Sequence, residues 1–520
     1  MASHERTTTD RGEPFNASSR QEIRGILWKA TDKLRGSVDA AEYKEFVLGL
    51  IFLKYVSDSF EQRQSELAEE LAVDGLPEDG IGEVLEDREA YRDALAFWVP
   101  KNARWSWIAA HAGSQSVGKL LNEAMDSVMR ENEALAGVLP RIFDSKRIDQ
   151  GRLSDLVDII GDAHFGGADN PSDVLGEVYG YFLGNFARAE GKRGGEYFTP
   201  QSVVQLLVQT LEPNEGRVYD PACGSGGFLV EASRFVETRR GPSHRGDVSV
   251  FGQEINERTW RLAKMNLAIH GIDGNLATRW GDTFADDKHP DLKADFVMSN
   301  PPFNIKDWAR DESDARWTYG VPPRSNANYA WLQHAVAKLG ERGTAGVVLA
   351  NGSMHSKSSG EGEIRSAMVE ADLVASLIAL PAALFRTTSI PACLWILTKD
   401  KSSQGARQLE DRRGEVLFID ARGMGEMVDR TERILTQADL ARIASAYQAW
   451  RGTPSARQAG LAYEDKPGFC FSADLETVRQ HGYMLTPGRY VDAEVARRES
   501  PRVVSDELAA LTRDLYALFD

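Results

Sequence analysis

Val218-Tyr219-Asp220-Pro221-Ala222-Cys223-Gly224-Ser225-Gly226-Gly227-Phe228-Leu229-Val230-Glu231-Ala232 reads as a short strand, a glycine-rich turn and the start of an amphipathic helix. Glycines admit positive φ and let backbone approach a ligand closely, and a helix N-terminus attracts carboxylate or phosphate. The spacing departs from the G-x-G-x-x-G turn of dinucleotide sites, which counts against nicotinamide or flavin chemistry. Residues 248–254 form a second strand pattern ending in Glu254, an acid suited to ribose hydroxyls. Residues 278–282 read as a third strand ending in Asp282, and the apolar run 294–299 as a fourth that stops at Asn300. Helical patterns at 228–238 and 257–270 separate the first three. A glycine turn or a strand-end acid taken singly is more often structural. Functional residue types at the ends of successive strands follow the rule for ligand sites in open α/β sheets.

Asn300-Pro301-Pro302-Phe303 suits one chemical problem, methylation of an exocyclic amine on a flat conjugated ring. The amine lone pair is delocalised into the ring and attacks poorly. An Asn side-chain carbonyl can accept one of its hydrogens and the Pro301 backbone carbonyl the other. The nitrogen is thereby drawn towards tetrahedral geometry, with its lone pair aimed at a methyl donor. Prolines restrict φ, so the carbonyls are aimed in advance. Phe303 offers a ring face for a base flipped out of its duplex. A Pro-rich turn that merely ends a strand is the alternative.

With these motifs in place, the chain resembles the modification (methyltransferase) subunit of type I DNA restriction-modification systems, which are S-adenosylmethionine-dependent adenine-N6 methyltransferases. The resemblance also rests on residues 27–36 (Leu-Trp-Lys-Ala-Thr-Asp-Lys-Leu-Arg-Gly), 195–200 (Gly-Glu-Tyr-Phe-Thr-Pro) and 485–490 (Leu-Thr-Pro-Gly-Arg-Tyr). It implies an α/β fold: a class I methyltransferase with a Rossmann-like doubly wound sheet, set between a helical N-terminal domain and a helical C-terminal tail. It implies S-adenosylmethionine as cofactor, with Glu196, Tyr197, Phe198, Thr199, Pro200 and Gln201 covering its methionine end. Asp220, Gly224, Ser225, Gly226 and Gly227 bring backbone to the cofactor, and Glu254 holds the ribose. Asp282 either accepts from the cofactor adenine or caps a turn. Asn300, Pro301, Pro302 and Phe303 form the catalytic loop, and no metal is expected, because a sulfonium is already an activated leaving group. The implied partners are DNA and a specificity subunit that reads it, two modification subunits binding one of the latter; a restriction subunit completes the assembly. Two rivals stay open: a self-sufficient or other phage-defence adenine methyltransferase, and a protein-glutamine methyltransferase, since Asn-Pro-Pro-aromatic serves a planar amide equally well.

The 520 residues exceed one ordinary core. They are expected to divide into a disordered tail (1–19), a helical domain (20–165), a catalytic domain (166–425) and a mainly helical, partner-binding region (426–520). No run of eighteen apolar residues is present, so no membrane span or membrane partner is expected. The start carries no apolar signal region, and three cysteines without a C-x-x-C pair argue against disulfides or zinc. A cytoplasmic protein is expected. The net charge of −17 is awkward for gripping DNA, whose affinity comes from phosphate neutralisation. Residues 51–100 alone hold 13 acids against 4 bases, so the acidity is concentrated in one stretch. Residues 306–328, with Trp308, Arg310, Arg316, Trp317, Tyr319 and Arg324, read either as a loop entering DNA or as a plain surface loop. His334 falls on an apolar helix face and reads as packed. Leu508, Leu511, Leu515 and Leu518 give residues 505–520 one apolar helical stripe, which either docks on the specificity subunit or packs on its own domain.

Overall fold

The computed structural model describes residues 25–26, 28–30, 32–33, 40–94, 97–113, 116–145, 148–163, 199–385, 390–403 and 408–492. Glu196, Tyr197, Phe198 and the terminal helix expected at 505–520 lie outside the described residues. The chain divides into two compact units, Met1–Gly194 with Arg261–Asp273, and Gly195–Trp260 with Gly274–Asp520.

In the first unit the helices Ala40–Val73, Trp105–His111, Val117–Glu131 and Gln150–Gly161 turn their apolar positions inward, burying Leu53, Leu121, Met125 and Leu156. Phe46 meets Phe143 edge-on at 5.5 Å between ring centroids. Many of the acids that make this region so negative are exposed, Glu66, Glu69, Asp74 and Glu83 among them.

The second unit is built on strands β1 (Gly216–Asp220), β2 (Val248–Gly252), β3 (Gly274–Asn275), β4 (Ala294–Ser299), β5 (Leu339–Ala350), β6 (Val374–Ala379), β7 (Ala392–Thr398) and β8 (Glu415–Asp420). A short hairpin of β9 (Glu426–Met427) and β10 (Arg433–Ile434) follows, then β11 (Cys470–Asp474). Among the described residues, all but the hairpin join one sheet in the order β11-β8-β6-β7-β5-β4-β1-β2-β3. Strands β3, β2, β1, β4 and β5 run parallel. β7 lies antiparallel between β5 and β6, and β11 antiparallel on β8.

Every residue of β6 and β7 is buried, as expected of strands covered on both faces. Tyr219 of β1 and Val297 of β4 belong to the same core cluster as Tyr329 and Leu332 of the helix Asn328–Lys338. β1 has β2 on one side and β4 on the other, so the chain reverses its winding at β1. In an open α/β sheet the ligand crevice forms at that reversal, outside the carboxyl ends of the strands. The glycine turn leaves β1 and Asn300 leaves β4, so the two motifs share this crevice.

Two elements differ from the sequence pattern. The strand expected at 278–282 is absent; pairing with β2 is confined to Gly274 and Asn275. Ala277 takes a positive φ of 58° and its N–H is held by Asn275 Oδ1 at 3.0 Å, which turns the chain off the ladder. Past Thr436 the pattern reads as mainly helical, yet Cys470–Asp474 is an edge strand. Five residues beside a charged helix start carry too little alternation to mark it.

Candidate active site

The crevice is framed by hydrogen bonds between segments far apart in sequence. Gln253 N donates to the Asp220 carbonyl at 3.0 Å, and Cys223 N donates to the Gln253 carbonyl at 2.9 Å. These fix the glycine turn against the end of β2. Gly226 sits at φ 82°, where a side chain would be strained, and immediately precedes the helix Gly227–Arg240. Among the described residues no side chain caps that helix, and its first-turn N–H groups suit an anion. Gly224, Ser225 and Gly227 are half-buried in the same turn.

Glu254 is buried and its carboxylate binds backbone on both sides. Oε2 accepts from Gly224 N at 3.0 Å and Oε1 from Asn256 N at 2.9 Å. The next residue, Ile255, is 62% exposed, an unusual place for a large apolar side chain beside a buried acid. Gly281 N donates to the Glu254 carbonyl at 2.8 Å, which brings Asp282 alongside despite the missing strand. Asp282 Oδ1 accepts from Phe284 N at 2.8 Å, so Asp282 caps the turn. Gln253, which the sequence did not single out, is the fastener of that loop: Nε2 donates to the carbonyls of Gly281 at 3.1 Å and Asp286 at 2.8 Å.

Asp220 is buried. Its Oδ1 accepts from Ser299 Oγ at 2.7 Å and from Ala222 N at 3.0 Å, tying the glycine turn to the residue before Asn300. Burial pushes this carboxyl up to about 7, against the pull of the Ser299 and Ala222 donors, with the nearby Glu254 charge acting upward too. The unfolded chain releases the same proton near ~4. Folding therefore takes up a proton between about 4 and 7, and stability falls as pH rises through that window. Asp220→Asn keeps an acceptor for both donors and removes the titration. Its melting temperature is expected to gain on the wild type between pH 6 and pH 8, by an amount worth about 1 kcal/mol. Paired thermal melts at the two pH values check this, and a pH-independent difference would contradict it.

Asn300 is buried at the end of β4. Its Nδ2 donates to Thr199 Oγ1 at 2.9 Å, whereas its Oδ1 is buried without a partner among the described residues. An unpaired buried carbonyl oxygen is costly and asks for a donor. Pro301 is buried and Pro302 half-buried. Phe303 is half-buried against the main core, its ring edge-on to Phe385 at 5.9 Å. The chain after it is pinned by Asn328, which accepts from Asn304 N at 3.0 Å and donates to Asn304 Oδ1 at 2.9 Å. Pro200 precedes the helix Gln201–Leu211, and Gln201 donates to Glu231 at 2.9 Å.

Residues 306–328 do not present their indoles to solvent, and Tyr319 is half-buried. Trp308 and Trp317 are buried with Phe284 and Trp331 in a second cluster, their indole N–H groups donating to the carbonyls of Pro323 and Asp311. Arg316 also turns inward, to the carbonyls of Thr283 and Phe284 and to His334 Nδ1 at 3.0 Å. Arginine only donates, so Nδ1 accepts and the His334 proton sits on Nε2, towards Tyr219 Oη at 3.3 Å. His334 is thus the packed residue its helix face indicated, held neutral first by burial and then by the Arg316 charge. Lys306 and Arg324 stay exposed. Among the described residues no group of His, Cys, Asp or Glu is placed to hold a metal ion, and no helix is long and apolar enough to cross a membrane.

Comparison with known proteins places the chain in a family. Residues 170–499 match the N-6 DNA methylase family, and residues 23–160 match the HsdM N-terminal domain. The type I restriction enzyme HindI methylase subunit of Haemophilus influenzae is 43% identical over 445 residues, covering 81% of this chain and 96% of that protein. The MjaIX methylase subunit of Methanocaldococcus jannaschii is 35% identical over 492 residues, covering 91% of this chain and 84% of its own. The crystal structure of a type I restriction-modification system methyltransferase subunit from Streptococcus thermophilus superposes with a TM-score of 0.72 at 25% identity, over 91% of this chain and 100% of that one. The chain belongs to the N-6 DNA methylase family, among the methylase subunits of type I restriction enzymes.

Proposed function

We propose that this chain transfers the methyl group of S-adenosylmethionine to the exocyclic N6 amine of adenine in DNA, as the modification subunit of a type I restriction-modification assembly. The observation that carries the reading is the Oδ1 of Asn300, buried with no partner among the described residues and set in the same crevice as the glycine turn. It is an acceptor waiting for a donor. An aromatic amine is such a donor, and Pro301 O takes its second hydrogen. With both hydrogens held, the nitrogen lone pair is freed from the ring and aimed. Phe303, propped by Phe385, is the surface against which the extruded base rests.

The residues around the turn fit the cofactor. Gly226 and the uncapped start of the helix Gly227–Arg240 suit its carboxylate, and Glu254 suits its ribose hydroxyls. Exposed Ile255 supplies an apolar face for its adenine, with Asp282 close by, and Pro200 and Gln201 border its methionine end. When bound, the cofactor supplies a methyl group on a sulfonium, which needs no further activation. The catalytic turn would hold the amine nitrogen as the acceptor of that methyl group, with one of the two amine hydrogens passing to solvent.

Sequence choice belongs to a partner. Apart from Lys306 and Arg324, the loop beside the catalytic turn spends its cations and indoles internally, and the chain as a whole is acidic. A separate specificity subunit, bound by two copies of this chain, supplies the base readout, and a restriction subunit completes the cytoplasmic complex. The test is a methylation assay of the purified chain with and without its cognate specificity subunit. Site-specific adenine methylation only in the complex is expected. Defined-site methylation by the chain alone would make it self-sufficient, and labelling of protein in place of DNA would overturn the substrate.

A further inference from the structure

Thr199 and Asn300 are 101 residues apart in sequence, yet Asn300 Nδ2 lies 2.9 Å from Thr199 Oγ1. An amide nitrogen only donates, so the threonine hydroxyl oxygen is the acceptor. We infer that Thr199 is a positioning residue for methyl transfer: by taking an amide hydrogen of Asn300, its hydroxyl holds the side chain with Oδ1 facing the exocyclic amine. The inference rests on the reading of Asn300 given above.

Two observations carry it together. The nitrogen end of the Asn300 amide is paired, and the oxygen end is buried with no partner among the described residues. Turned the other way, the amide would set its own donors against the hydrogens of the amine, leaving them without the acceptor that frees the lone pair. A hydroxyl serves here because it gives the NH2 group a partner in the productive orientation and keeps it off the substrate. Thr199 is also well mounted. It immediately precedes Pro200, whose carbonyl accepts from Val203 N at 2.9 Å and Val204 N at 3.1 Å in the first turn of the helix Gln201–Leu211. Val203, Val204 and Leu207 of that helix are buried, so the hydroxyl stands on a packed element. A side chain locked by packing can fix a reacting group to the few tenths of an ångström that productive geometry requires.

Thr199→Val keeps the shape and removes the acceptor; Thr199→Ala removes it with less crowding; Thr199→Ser retains it. The full chain is assayed in complex with its specificity subunit on DNA carrying the recognition site, beside calorimetry with S-adenosylmethionine. The valine and alanine variants are expected to lose kcat on the order of 10- to 10²-fold, with cofactor affinity unchanged, and the serine variant to recover the rate. Full kcat in a folded hydroxyl-free variant would overturn the assignment. So would weakened cofactor binding with kcat intact at saturation, because Thr199 would then be a cofactor contact. Asn300→Ala run in parallel separates the two claims. An active Asn300→Ala defeats the reading of Asn300, whereas an inactive one beside a fully active Thr199→Val defeats only the role of Thr199.

Discussion

Asn300→Ala is expected to slow methyl transfer by roughly 10²–10³-fold, the usual cost of losing one preorganised contact at a reacting centre. Cofactor affinity should stay close to that of the wild type. The asymmetry follows from the architecture: Asn300 ends β4, while the glycine turn and Glu254, on which the cofactor chiefly rests in this reading, follow β1 and β2. The substitution removes an oxygen that no described residue uses, so the fold loses little on that side. Thr199 Oγ1 loses a donor but is a hydroxyl at the half-exposed edge of the site, where water can replace it. Calorimetry with S-adenosylmethionine beside a single-turnover methylation assay measures both quantities. A variant with near-normal rate would remove Asn300 from the chemistry.

Glu254→Ala is expected to weaken S-adenosylmethionine binding by about 10- to 100-fold, equivalent to roughly 1–3 kcal/mol. The carboxylate holds Gly224 N and Asn256 N as well as the ribose proposed for it, and a carboxylate has about four lone-pair positions to share. Alanine leaves both backbone donors without that partner and loosens the turn that receives the cofactor. Glutamine is not a conservative replacement here. One end of its amide is a donor, and it would face either Gly224 N or Asn256 N, donor against donor. Glu254→Gln should therefore rescue little. Equal dissociation constants for wild type and both variants, with circular dichroism confirming the fold, would contradict the placement of the ribose.

Much of this arrangement is legible in the chain because strand ends announce themselves. Asp220, Glu254 and Asn300 each follow an apolar run, and the glycines after Asp220 mark the turn. Their convergence in one crevice follows from the sheet order, with β1 between β2 and β4. What stayed hidden is what local pattern cannot carry. Ala277 takes a conformation uncommon for alanine and ends a strand after two residues, so Asp282 caps a turn instead of closing a strand. In the irregular segment 306–328 there is no periodicity to separate inside from outside. Trp308 and Trp317 are core residues, although their spacing among arginines reads equally well as a nucleic-acid surface. Gln253, Asn328 and the Thr199–Asn300 bond depend on contacts tens of residues apart or more, and no window along the chain reports those.

The most direct measurement is the fate of the methyl group itself. The chain, complexed with its specificity subunit, is supplied with S-adenosylmethionine carrying a deuterated methyl group and with DNA bearing the recognition site, and the DNA is then digested to nucleosides for mass spectrometry. The account predicts deuterated methyl on N6 of deoxyadenosine at that site, and loss of the signal to roughly 10⁻²–10⁻³ of its initial rate in Asn300→Ala. Label on cytosine, label on protein with none on DNA, or an undiminished signal in the variant would contradict it.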